Sequence, residues 1–103
     1  MAKGFELLMM IVNNGYSDQV MDVARGCGAK GGTVISGRGT AKEETEKKFN
    51  IRIHPEKDIV LIVIPTTIKV DLMKKFYAEC GTQTDAQGIA FTLPVEDSVG
   101  LKI

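Results

Sequence analysis

The chain has no net charge: thirteen lysines and arginines stand against thirteen aspartates and glutamates in 103 residues. Nothing steers the whole molecule towards a nucleic-acid backbone or an anionic membrane, so no nucleic-acid partner is expected and any anion site has to be local. No apolar run approaches the roughly 20 residues of a membrane span. Met1-Ala2-Lys3-Gly4 is not followed by a signal-peptide pattern, and the expected location is the cytoplasm. Cysteine is scarce too, with only Cys27 and Cys80, and His54 is the single histidine. Without C-x-x-C spacing or a second histidine there is no metal-ligand set, so no metal is expected and both thiols read as reduced packing residues. The same scarcity leaves no nucleophile, base and orienting group to assemble, and the chain is not expected to be an enzyme.

What is present is one plan repeated. Two apolar runs, Phe5 to Asn13 and Asp58 to Pro65, each lead into a helix-like stretch closing on Cys-Gly, at Cys27-Gly28 and Cys80-Gly81. In the first copy Ser17 is a suitable N-cap, Val20, Val23, Ala24 and Cys27 recur at helical spacing, and Gly28 ends the run. In the second, Thr67 is the expected cap, followed by Ile68, Leu72, Met73, Phe76 and Cys80 before Gly81. Two further strands, Thr33 to Gly37 and Gly88 to Leu93, follow turn-rich segments.

Residues 1–103 are thus expected to form one domain, too short for two. Strand, helix, strand, twice over, is the βαββαβ order of the ferredoxin-like α+β fold: a four-stranded antiparallel sheet with two helices on one face. In both central strands the two alternating residue sets are apolar, so both faces of the sheet call for burial. Two helices cover one face only, and a homo-oligomer is expected to cover the other. Between the second and third strands runs a charged segment, 41–57, with no apolar period. Its Glu43-Lys47 and Glu44-Lys48 pairs have the favourable i, i+4 order for a solvated helical turn.

Over nearly its whole length the sequence resembles the PII signal-transduction proteins and, more closely, their PII-like relatives. The resemblance rests on Gly31-Gly-Thr-Val-Ile35 leading into Gly37-Arg-Gly-Thr40, a loop, Ile59 to Pro65, a helix, and Gly88-Ile-Ala-Phe91. It implies a homotrimer with sheets turned inwards, an adenine nucleotide (ADP or ATP) as effector in the clefts between subunits, and a membrane transporter or metabolic enzyme as target of the 41–57 loop. By the same resemblance Ile11 and Val63 wall the adenine. Thr33, Gly39 and Thr40 approach the nucleotide from the second strand, while Lys42, Gly88 and Lys102 stand near phosphate. Glycine lets backbone N–H groups approach an anion, and threonine adds a hydroxyl donor, so the residue types suit the task.

The departures are as informative. The lysine that follows the last glycine in nitrogen-regulating PII proteins is Ile89 here, and of two later arginines one is Gly100 and the other Lys102. Charged hydrogen bonds are worth about 1.5–3 kcal/mol each, so losing two weakens triphosphate binding by more than about a hundredfold. ADP, AMP and other adenine ligands stay open. The tyrosine uridylylated in many bacterial members is replaced by Phe49, and the glutamine that links Mg-ATP to 2-oxoglutarate has its counterpart near Ala41 or Glu43. Neither uridylylation nor 2-oxoglutarate sensing is expected. The same fold also serves ACT-like amino-acid modules, CutA-like trimers and RNA-recognition motifs. The first two stand as alternatives, while the third wants aromatic residues on the central strands, and strand three has none.

Overall fold

The double alternation of the central strands becomes two different surfaces. β1 (Phe5–Asn13), α1 (Ser17–Gly26), β2 (Thr33–Arg38), β3 (Glu56–Pro65), a 3-10 turn (Thr66–Ile68), α2 (Lys69–Cys80) and β4 (Ile89–Pro94) follow in that order. They are seen in a computed structural model describing residues 4–40 and 55–102. The sheet has the order β2-β3-β1-β4, every neighbouring pair antiparallel. This is the ferredoxin-like arrangement expected from the sequence.

Leu8, Met10 and Val12 of β1 and Val60, Ile62 and Ile64 of β3 point to the helices. They form one core with Val20, Val23 and Ala24 of α1 and with Leu72, Phe76 and Cys80 of α2. Burial raises the pKa of the Cys80 thiol, which keeps it protonated and in keeping with a packing role. The two cysteines are not equivalent, because Cys80 is the fully buried last residue of α2 whereas Cys27 is the half-buried residue that follows α1.

The helix ends depart from expectation in instructive ways. Ser17 is the first helical residue, not the cap. Tyr16 takes the cap position, with no side-chain bond to the helix. The turn before α1 is held instead from β3, where Asp58 accepts hydrogen bonds from Asn14 Nδ2 (3.0 Å) and the Gly15 N–H (3.1 Å). Thr67 lies inside the 3-10 turn, so α2 starts two residues later. Gly28 does close α1, at φ +105°. Its N–H donates to the Arg25 carbonyl and that of Ala29 to the Ala24 carbonyl, both at 3.0 Å, which is the Schellman pattern.

At the opposite end of the sheet the Lys69 ammonium lies 2.9 Å from Glu6 Oε2. The hydrogen bond from Lys69 holds the Glu6 carboxyl below its ordinary value of 4.5. A carboxyl whose pKa is lower folded than unfolded stabilises the fold above the unfolded pKa and loses that contribution as pH falls through the folded one. Glu6→Gln should therefore be less stable than the parent protein at pH 7, and the gap should close below the carboxylate range. Urea midpoints at the two pH values check this, and a gap that is constant with pH would exclude the ion pair as its cause.

Candidate functional site

Residues opposite each other in an antiparallel ladder project from the same face, so the register defines the surface that the helices leave open. Its rows are Thr33, Leu61, Met9, Phe91; then Ile35, Ile59, Ile11, Ile89; and Val63, Leu7, Leu93. It is apolar across all four strands, and Ile35, Ile89, Phe91 and Leu93 are 42–49 % exposed. One polar row ends it: Gly37, Lys57 and Asn13.

The candidate residues divide between the two ends of this face. Thr33 and Val63 line a groove of about 380 Å³ together with Leu7, Leu61 and Leu101. Leu101 brings the exposed Lys102 to the same end. Gly39 and Thr40 follow the far end of β2, six residues or roughly 20 Å of strand away from Thr33. The Gly39 N–H donates to the Pro55 carbonyl, and a Cβ placed on Gly39 would come 3.0 Å from Lys57 Cε. Ile11 sits between the two ends, half-buried in the row of Ile35 and Ile59, one row on from that of Thr33. Ile11 and Val63 thus share the face but not a pocket. Lys42, with the 41–54 part of the charged loop, lies outside the described residues, while Glu56 and Lys57, assigned to that loop from sequence, are the first residues of β3.

Gly88 enters β4 on the opposite edge. It is buried, its N–H donates to the Cys80 carbonyl at 2.7 Å, and an added Cβ would collide with Cys80, Phe76 and Val12. The role this geometry gives it is close packing between α2 and β4. Its N–H is already engaged.

Sequence reasoning missed three groups at this end. Lys57 Nζ donates to Asn13 Oδ1 (2.7 Å), and Asn13 Nδ2 donates to the Asp85 carbonyl (2.9 Å) and to Gln87 Oε1 (3.2 Å). Loss of hydration lowers the Lys57 pKa. The one available signal was the period-2 pattern of β3 carried backwards, Val63, Leu61, Ile59, Lys57, which puts the lysine on the open face. Among the described residues no group of three histidine, cysteine or acidic side chains could hold a metal ion. No described helix is long and apolar enough to cross a membrane.

No family model and no curated protein matches the sequence. Solved structures do. A PII-like nitrogen regulatory protein, CPII from Thiomonas intermedia K12, bound to ADP, AMP and bicarbonate, superposes with a TM-score of 0.67 at 17% identity over 96% of each chain. The chain has the PII-like fold. Arabidopsis thaliana PII bound to citrate gives a TM-score of 0.70 at 22% identity, covering 95% of this chain and 81% of that one. A DUF3240 family protein from Shewanella baltica OS155 gives 0.71 at 16% identity, over 98% and 100%. The face that α1 and α2 leave bare in this chain carries Ile11, Thr33 and Val63.

Proposed function

We propose that the chain is a cytoplasmic, non-enzymatic PII-like regulatory protein. It binds an adenine nucleotide in clefts between the copies of a homotrimer, and it regulates a transporter or metabolic enzyme through its 41–57 segment. The observation that carries the reading is the division of the candidate residues. Thr33, Val63 and Lys102 gather at one end of an apolar face and Gly39 and Thr40 at the other, so two copies meeting along that face can supply the halves of one pocket. The PII-like fold supports this, as do the ADP and AMP bound by the Thiomonas protein of the same fold. Regulation then follows from different nucleotide affinity in two states of the assembly.

The ligand preference comes from this chain's own chemistry. Ile89 supplies no cation where a phosphate lysine is expected, and the Gly88 N–H is spent on Cys80. Each added phosphate therefore brings desolvation cost with little new binding, and ADP and AMP are expected to bind at least as tightly as ATP. Calorimetric titration of the nucleotide-stripped protein with all three, with light scattering in the same buffer, tests the reading. Gly39→Val should weaken ADP by more than about tenfold, or roughly 1.4 kcal/mol, while the fold persists because the nearest obstruction is the flexible Lys57 chain. Unchanged ADP affinity would remove Gly39 from the pocket. An assembly that binds none of the three would keep the fold and discard the nucleotide.

A further inference from the structure

Asn13 is only 4% exposed, yet its side chain bonds two segments that are far apart in sequence. Oδ1 accepts from Lys57 at the start of β3, and both Nδ2 protons are spent on the 85–87 turn, one on the Asp85 carbonyl and one on Gln87 Oε1. Its backbone N–H donates to the Ala86 carbonyl as well, at 2.8 Å. Only a carboxamide can accept on one side and donate twice on the other. Burial keeps water from replacing a lost partner. The turn it grips is under constraint: Gln87 has φ +48°, a backbone region that residues with side chains adopt only when the surroundings hold them there.

We propose that Asn13 is a positioning residue joining the 85–87 turn on one edge of the sheet to Glu56 and Lys57 at the start of β3, so that a disturbance at the turn is felt where β3 begins, and a ligand at Gly39, beside Lys57, is felt at the turn. A purely local role for Asn13, satisfying the end of a strand, would leave the two segments independent. The ligand half of the proposal rests on the nucleotide reading above, and the disturbance half does not. Asp58 holds the turn before α1 through its own pair of hydrogen bonds, so substitution at Asn13 leaves that clamp in place.

Hydrogen exchange read by mass spectrometry on peptides covering 55–58 and 82–88 tests both halves. Gln87→Ala should speed exchange at 55–58 by about fivefold in the parent protein, the scale of one lost hydrogen bond. In an Asn13→Leu background it should have almost no effect there. Asn13→Asp gives a second, folded probe: it keeps the Lys57 contact and loses the donor to the Asp85 carbonyl, while Gln87 can turn its amide to donate to the new carboxylate, so transmission should fall without vanishing. Equal transmission in all backgrounds, or none in the parent protein, would overturn the proposal. Adding ADP to the parent protein should slow exchange in both peptides together. Protection of 55–58 alone would also overturn the proposal. Protection of neither peptide would count against nucleotide binding, with the Gln87→Ala comparison still deciding the coupling.

Discussion

Gly88→Ala should lower the thermal midpoint by roughly 12–24 °C, from about 3 kcal/mol of lost stability. The cause is space. The methyl group would overlap the Cys80 carbonyl oxygen and come 2.6 Å from Phe76 Cζ and 2.9 Å from Val12 Cγ1. Phe76 is 2% exposed and Val12 is fully buried, and the carbonyl belongs to the last turn of α2, so no flexible side chain can swing aside. Relieving the overlap means moving β4 away from α2, which lengthens the Gly88 N–H bond to Cys80. Gly26→Ala is the matching control, because its Cβ would meet nothing within 4 Å and a glycine in a helix costs about 0.5–1 kcal/mol relative to alanine. The control should melt slightly higher than the parent protein. A Gly88→Ala midpoint within about 3 °C of the parent, under 1 kcal/mol, would show that the α2–β4 junction is looser than described.

Met9→Lys should dissociate the assembly without unfolding the chain. Met9 lies in the middle of the open face, between Leu61 and Phe91 in its row. Its neighbour Met10 is fully buried under the helices. In a separated copy a lysine at position 9 reaches water along its flexible stem. In a face covered by other copies it would be a buried, unpaired ammonium costing several kcal/mol. Light scattering should therefore give a multiple of 11.2 kDa for the parent protein and the single-chain mass for Met9→Lys, with helix content retained in circular dichroism. Met10→Lys places the same charge in the core and should unfold the chain. A single-chain mass for the parent protein, or an unchanged assembly in Met9→Lys, would refute the covered face.

The fold was legible because its signals are local or periodic. β1 was delimited to the residue by its apolar run, and Gly28 marked the end of α1 because a left-handed residue there favours glycine. Ser17 and Thr67 misled because capping by side chain is only one way to start a helix. Asp58 arrives from β3 to hold the turn before α1, and a 3-10 turn precedes α2. Gly81 does end α2, but not by left-handed geometry, since its φ is −74° and it is the Tyr77 carbonyl that leaves no room for a side chain.

The candidate site was legible as a set of residues but not as an arrangement. Strand length alone parts Thr33 from Gly39, but nothing along the chain groups Val63 with Thr33 rather than with Gly39 and Thr40. That partition appears only when β2 is laid beside β3 in its register. Asn13, Lys57 and Gln87 escaped for the same reason, being brought together from three segments by strand pairing.

The distance between the ends of β2 has a consequence for how binding curves should be read. When each copy holds one half of a pocket for the neighbour on either side, pockets and copies are equal in number only in a closed ring. An open chain always wastes two halves. Ligand then favours closure by mass action, and its apparent affinity depends on how much protein is in the tube. On dilute protein, the midpoint of a titration reports the cost of bringing copies together as well as the grip of the pocket.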